Sequence, residues 1–427
     1  MHILKNKFIS STFILILSGM STKLLGLLIK IIYTRMLDEN AIGLYTLILP
    51  TYSLLINIAT FAMPITISKL IADKEDLRIM NTASIMIIII NLIIILFIYL
   101  FSPFIATNLL HVSESKYLLK ACALCLPFTS IACILKGYFY GKQKMIPHAL
   151  SNTIEQIIRI ILIVFVMPYF IKKSYIHAAC FLVITSFFTE LSSIITFLIC
   201  MNKNDRIILK NVHFKKDEYQ KIMGISIPLV STRIINNIAY FLEPIIVSSV
   251  LINNGISKHE FITSYGAYNA YAIATLSIPS FFITALSSSL LPELTKNKYN
   301  KTVFRKRCIQ ALVFTLFIGG VSSLTITIFR KPLLFLLYKS YNGIDYIKIL
   351  GPFFILFYFE SILSTILQAK GKNKSIFIIT LISSISKTII TVILCNVFKS
   401  IDALIYSEII NIVVVVFFNI IAIKNSK

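Results

Sequence analysis

Ten ionisable residues lie within stretches that are otherwise apolar: Lys23, Lys30, Glu155, Arg159, Glu190, Arg233, Glu243, Glu360, Lys387 and Glu408. A charge at bilayer depth is costly, so each is a candidate for binding, coupling or pairing. Lys23 and Lys30 stand seven residues apart, two helical turns, on one face. A cationic face of that kind suits a phosphate or pyrophosphate, although Lys30 could also snorkel to the interface. Glu155 and Arg159 are i,i+4 neighbours and can neutralise one another along a helix. Arg233, Asn236 or Asn237, Tyr240 and Glu243 fall at helical spacing between Pro228 and Pro244. Such a polar stripe should face a wet interior, or else hydrogen-bond to a neighbouring helix. Lys23, Lys30, Arg159, Arg233, Asn237 and Glu243 are therefore expected to bind substrate. Glu155, Glu190, Glu360, Lys387 and Glu408 are the coupling or charge-pair candidates.

Enzyme chemistry finds no support. The chain has no P-loop, nucleophile elbow, H-E-x-x-H or glycine-rich dinucleotide turn. The six His are dispersed, and Cys122 and Cys125 form a C-x-x-C inside an apolar run with no second pair nearby. Packing is the better account of those thiols. No catalytic residue, metal or cofactor is expected.

The elements that must hold these residues are membrane helices. The chain of 427 residues is 57% hydrophobic and 14% charged, with mean hydropathy +0.85. Recurrent apolar runs predict an all-α bundle of twelve spans, near 8–32, 43–71, 79–101, 117–139, 148–171, 176–201, 222–252, 262–292, 308–329, 346–369, 375–397 and 401–423. The first run resembles a cleavable leader, but its continuation to Ile32 predicts a span instead. Lys and Arg number 25 in one alternate set of loops and 11 in the other. This asymmetry places both termini in the cytoplasm and explains the net charge of +23 without nucleic acid. Intramembrane Pro64, Pro127, Pro279 and Pro352 mark possible breaks.

The hydrophilic stretch Asn202–Lys221 predicts a cytoplasmic linker. The expected division is a lobe at 1–205, a linker at 206–221 and a second lobe at 222–427. The halves show traces of duplication. Gly43-Leu44-Tyr45 and Gly266-Ala267-Tyr268 open spans two and eight at an offset of 223, and Gly141-Lys142-Gln143-Lys144 and Gly371-Lys372-Asn373-Lys374 follow spans four and ten at 230. Six spans per half predict parallel repeats with a cavity between them.

The most specific stretch runs Lys136-Gly137-Tyr138-Phe139-Tyr140-Gly141-Lys142-Gln143-Lys144-Met145-Ile146-Pro147-His148-Ala149-Leu150-Ser151-Asn152, then Thr153-Ile154-Glu155-Gln156-Ile157-Ile158-Arg159. It resembles the G-Y-F-x-G … P-x-A-x-S … E-Q-x-x-R signature of stage V sporulation protein B-type polysaccharide transporters. These belong to the multidrug/oligosaccharidyl-lipid/polysaccharide flippase superfamily, with MurJ-type lipid II flippases as relatives. Lys23 to Arg35, Pro64-Ile65-Thr66-Ile67-Ser68-Lys69, Ile227-Pro228 with Glu243, Leu291-Pro292 and Leu367-Gln368-Ala369-Lys370-Gly371 are similar to other parts of the family.

The resemblance implies a two-lobe flippase working by alternating access on an undecaprenyl-linked sugar, with a peptidoglycan or spore-cortex precursor among the candidates. Membrane lipid and an anionic lipid-linked sugar are the partners it implies; the oligomeric state stays open, a monomer being one option. Two departures stand out. Span one has lysines where members often have arginine, which loses bidentate phosphate recognition. The chain also has about twelve spans where many members have fourteen. Competing readings are a cation-coupled multidrug exporter of the same superfamily, which should carry a carboxylate in span one, a membrane sugar-lipid enzyme, which should carry a large catalytic loop, and a non-transporting scaffold.

Overall fold

The computed structural model describes residues 7–73, 76–210 and 214–425. Lys5, Lys74 and Lys427, counted above for orientation, and the side chains of Lys7, Lys210 and Asn236 lie outside the described residues. Every regular element among them is helical. The helices form two compact units, Met1–Phe241 and Leu242–Lys427. Among the described residues, ten helices or joined helices are long and apolar enough to cross a membrane, and a pair bent by 53° makes an eleventh if it is counted as one span. The first helix, of 30 residues, is long enough as well.

Unit 1 contains α1 (Lys7–Met36), α2 (Glu39–Ala59), α3 (Met63–Ala72), α4 (Ile79–Phe104), α5 (Ser115–Gly141), α6 (Ile146–Ile161), α7 (Met167–Ile171), α8 (Tyr175–Cys200) and α9 (Lys203–Lys210). It also takes the first part of α10 (Lys216–Asn253). The division between units thus falls inside one continuous helix. Unit 2 continues with α11 (Lys258–Gly266), α12 (Ala274–Leu276), α13 (Ser280–Lys296), α14 (Lys301–Ile328), α15 (Arg330–Tyr338), α16 (Ile344–Leu350), α17 (Phe354–Ala369), α18 (Asn373–Phe398) and α19 (Asp402–Lys424). The hydrophilic stretch is not simply a tether. It holds α9 and the start of α10, where Glu218 is buried and accepts a hydrogen bond from Thr82 of α4.

Two spans are broken, and both breaks follow from proline. Before Pro64, Phe61 and Ala62 adopt left-handed φ values of 47° and 53° between α2 and α3. The second break, at Ser277–Pro279, separates α12 from α13. A break frees backbone carbonyls that lipid cannot satisfy. Buried Asn91 of α4 donates to the Ala59 carbonyl at 3.3 Å and to Ser130 of α5 at 3.1 Å. In unit 2, the Tyr358 hydroxyl donates to the Leu276 carbonyl at 2.6 Å. The two halves use the same solution in their second spans. By contrast, α5 and α10 run through Pro127, Pro228 and Pro244 without interruption. For α5 the reason is packing: it lies against α2, α3, α4 and α8, which hold it past one lost hydrogen bond. Pro352 produces only a 3₁₀ turn, Gly351–Phe353, between α16 and α17.

The repeated Gly-Lys motifs end their helices alike. The Lys144 amide reaches the Phe139 carbonyl and the Lys372 amide reaches that of Leu367, each bond closing a left-handed C-terminal turn. The left-handed residues are Gln143 and Gly371, with φ of 55° and 77°. The equivalent residues are therefore shifted by two from the register in which the tetrapeptides look alike.

Gly137 and Gly141 form a G-x-x-x-G face on α5 that admits α3. A Cβ at Gly137 would stand 2.9 Å from Ile67 Cβ and 3.1 Å from the Pro64 carbonyl oxygen. At Gly141 it would stand 2.7 Å from Ile71 Cβ and 2.9 Å from the Ser68 carbonyl oxygen. Small residues let helix backbones approach where lipid supplies no hydrophobic drive. Around this contact lies a core of Met63, Ile67, Met86, Tyr138, Phe139 and Phe197. Gly141→Ala is expected to cost about 1–3 kcal/mol through overpacking. Thermal unfolding in detergent, followed by dye labelling of the buried cysteines, measures this. Gly224→Ala, where nothing lies within 4 Å of the added Cβ, should leave the midpoint unchanged or raise it.

Candidate functional site

Unit 1 collects charges from three helices. Glu190 of α8 lies near Thr129 of α5 and within electrostatic reach of Glu155 and Arg159 of α6 and Lys136 of α5. All four charged residues are half-buried. The helical pair predicted from spacing does not close: Glu155 and Arg159 form no ion pair with one another. Instead α8, which packs along α6, bonds Arg159 directly and reaches Glu155 through Ser151 of α6. Arg159 Nη2 donates to Thr189 Oγ1 at 3.2 Å, while its buried Nε has no partner. Glu155 accepts from Ser151 at 3.2 Å, and Ser151 shares a 2.6 Å hydrogen bond with Ser193. Arg159 also lies within electrostatic reach of Tyr45 on α2.

Two cations and two carboxylates leave this group near neutral in sum but rich in donors and acceptors. It can take hydroxyl groups from several directions, and Arg159 keeps a free donor for an anion. The sequence reading missed Lys136, which it counted among loop cations, and missed the hydroxyls of α8. A signal was present: Thr185, Thr189 and Ser193 recur every four residues in an apolar helix, and all three are buried.

Arg233 adjoins this group, since Cys133 of α5 lies within electrostatic reach of it and of Glu190, Lys136 and Glu155 alike, whereas the other substrate candidates are dispersed. Lys23 is exposed on α1, beside exposed Leu24 and Leu28, whereas Lys30 is half-buried. Arg233 is half-buried within electrostatic reach of Cys133 on α5. The Asn237 amide turns back to the Arg233 carbonyl of its own helix at 2.9 Å. Tyr240 is exposed and Glu243 is buried, so the polar stripe of α10 does not share one environment. Its ends belong to different units.

Unit 2 closes a compact ion triad. Lys387 Nζ of α18 lies 2.7 Å from Glu243 Oε2 of α10 and 2.6 Å from Glu408 Oε2 of α19. The Tyr265 hydroxyl of α11 donates to Glu243 Oε1 at 3.4 Å. Glu360 of α17 lies within electrostatic reach of Glu408. Glu243 is thus a charge-pair residue in this structure, joined to two of the coupling candidates. One ammonium between two carboxylates ties three helices together. Removing the ammonium leaves two buried like charges, a loss on the order of 3–5 kcal/mol. Lys387→Met should therefore lower the unfolding midpoint strongly. Adding Glu243→Gln and Glu408→Gln should restore most of the loss.

A further cluster pins the linker helix. Lys142 Nζ, just beyond α5, lies 2.5 Å from Asp205 Oδ2 of α9, and the Tyr138 hydroxyl donates to the same oxygen. Burial pushes the Asp205 carboxyl up, but the bonds from Lys142 and Tyr138 outweigh it and hold it below its ordinary value. Burial likewise lowers Lys142, and Asp205 more than reverses this, leaving it raised. The depressed carboxyl stabilises the fold fully above its ordinary range and loses that effect as pH falls through the lowered value. The raised lysine behaves in the opposite sense, losing its effect as pH rises through its folded value. The latch is therefore expected to hold from about pH 4 to about pH 10. Asp205→Asn should speed tryptic cleavage within 203–216 at neutral pH, and wild type should show comparable cleavage with an acid-stable protease only at lower pH.

Ten or eleven helices long and apolar enough to cross a membrane, with ion clusters held among them, define a multi-pass membrane protein among the described residues. A polysaccharide biosynthesis protein family model matches residues 8–298, and a second of the same description matches 296–426. The chain belongs to the polysaccharide biosynthesis protein family. Stage V sporulation protein B of Bacillus subtilis (strain 168) is 30% identical over 90% of this chain and 77% of its own length. Among solved structures, the lipid II flippase MurJ in an inward closed conformation superposes with a TM-score of 0.74 at 16% identity, covering 96% of this chain and 87% of that one. An inward-facing multidrug resistance MATE transporter of the MOP superfamily gives 0.72 at 13%, covering 95% of each chain. At these identities the two structures share their fold with this chain, a multi-pass helix bundle.

Proposed function

We propose that this protein moves an undecaprenyl-pyrophosphate-linked oligosaccharide across the cytoplasmic membrane by alternating access, with both termini in the cytoplasm. The observation that carries the reading is the convergence of Lys136, Glu155, Arg159 and Glu190 at membrane depth within a polysaccharide-family chain. Paired carboxylates and hydroxyls suit sugar hydroxyl groups, and the unpartnered Arg159 Nε suits a phosphate oxygen. Lys23 and Arg233 add cations for the pyrophosphate. A peptidoglycan or spore-cortex precursor is the substrate that the sporulation relative favours.

Reconstitution tests this directly. Proteoliposomes containing a fluorescent undecaprenyl-linked sugar are treated with a membrane-impermeant quencher, and the leaflet change is timed. Wild type should move the label, whereas Arg159→Ala should slow it at least tenfold, a loss above about 1.4 kcal/mol of differential interaction. Arg159→Lys should fall between them. Lys23→Ala and Arg233→Ala should also slow movement. Normal rates in correctly inserted Arg159→Ala, Lys23→Ala and Arg233→Ala proteins would remove the site. Movement of cationic drugs but not of the lipid-linked sugar would favour an exporter instead.

A further inference from the structure

Unit 1 carries a cleft of about 300 Å³ between α4 and α8, with α5 as its floor. Ile85 and Ile88 of α4, Ile131 and Ile134 of α5, and Ile194 and Leu198 of α8 make its walls. Ile88 and Leu198 are 46% and 37% exposed, so the cleft opens sideways on the flank of the bundle. Helix α4 begins at Ile79, which puts Ile88 about 13 Å from that end along the axis. One leaflet of hydrocarbon is about 15 Å thick. The medium at the mouth is therefore lipid chain, and an occupant must itself be hydrocarbon.

We infer that this cleft seats a stretch of the polyprenyl tail of the lipid-linked substrate, an inference that rests on the transport reading above. The lining favours a prenyl chain over a saturated acyl chain. Its isoleucines are β-branched and stiff, so the wall has a preset, notched shape. A prenyl chain is methyl-branched and its double bonds remove rotors, so it loses less freedom on lying against such a wall. The polar lining residues Asn81 and Ser84 stand in the first turns of α4. That is the end at which a tail would join its phosphate. All three walls belong to unit 1, so the seat is built by one compact body.

The chain contains no tryptophan, which makes a single introduced one a clean reporter. Leu198→Trp at the mouth and Leu96→Trp on the exposed flank of α4 are each placed in nanodiscs of phospholipid brominated along its chains. Bromine quenches both. Added undecaprenyl phosphate should relieve quenching of Leu198→Trp at least twofold and saturably, with little change for Leu96→Trp. Equal response at both positions overturns the inference. So does equal relief by unbrominated phosphatidylglycerol, which would assign the cleft to ordinary lipid. Ile88→Trp on the opposite lip serves if Leu198→Trp fails to insert. In wild-type vesicles that move the labelled sugar, an unresponsive reporter removes the tail seat alone. Absence of movement in wild type removes the transport reading instead.

Discussion

Hydrocarbon offers no hydrogen bond, and this one constraint organises the molecule. Long helices satisfy it by default, because each residue pairs its own backbone groups. The informative places are those where the ladder is interrupted or a side chain brings in a polar group. At the break before Pro64, buried Asn91 meets the Ala59 carbonyl, and at the break before Pro279, Tyr358 meets the Leu276 carbonyl. In each case a neighbouring helix completes what the broken one cannot. The breaks thereby become tertiary contacts, fixed in position by the helices that satisfy them.

The same constraint sorts the charges into two styles. In unit 2, Lys387 is held by Glu243 and Glu408 in a closed ion triad. In unit 1, Glu155 and Arg159 turn from each other to hydroxyls, Arg159 to Thr189 of α8 and Glu155 to Ser151 of α6, which is itself bonded to Ser193 of α8; Arg159 retains an unmet donor. A closed triad suits cohesion between helices, whereas an open array of donors and acceptors suits a polar ligand. Electrostatic attraction alone would have closed the unit 1 pair along α6. The close hydroxyl-bearing face of α8 is what keeps it open.

Much of this was legible in the sequence, because hydropathy answers directly to the solvent. The apolar runs gave the helices but not their polar ends, since α10 and α14 begin six and seven residues before the expected spans, and the costliness of charge at depth picked out the residues of both clusters except Lys136. Pairing across helices was not legible. Glu243 looked like part of a single stripe with Arg233 because both follow the period of α10, yet its partners come from α18 and α19. Periodicity reports one helix at a time, whereas an ion pair depends on which helix lies opposite. Nor did proline spelling distinguish Pro64 from Pro127. Both remove an amide, but α5 is held through the defect by neighbours on several sides. The motif glycines Gly137 and Gly141 were visible as letters, and their meaning, the near contact of α3 and α5, needed coordinates.

The bridged lysine of unit 2 also bears on how this chain can drift through evolution. Losing one member strands buried charge, so single substitutions at positions 243, 387 or 408 meet a steep barrier. Replacing all three by well-fitted apolar side chains can be neutral or even favourable for stability. Lineages that keep the trio intact despite that exit would be retaining it under selection for something beyond endurance of the fold. The pattern of joint retention or joint loss among relatives therefore separates a working part from a structural inheritance.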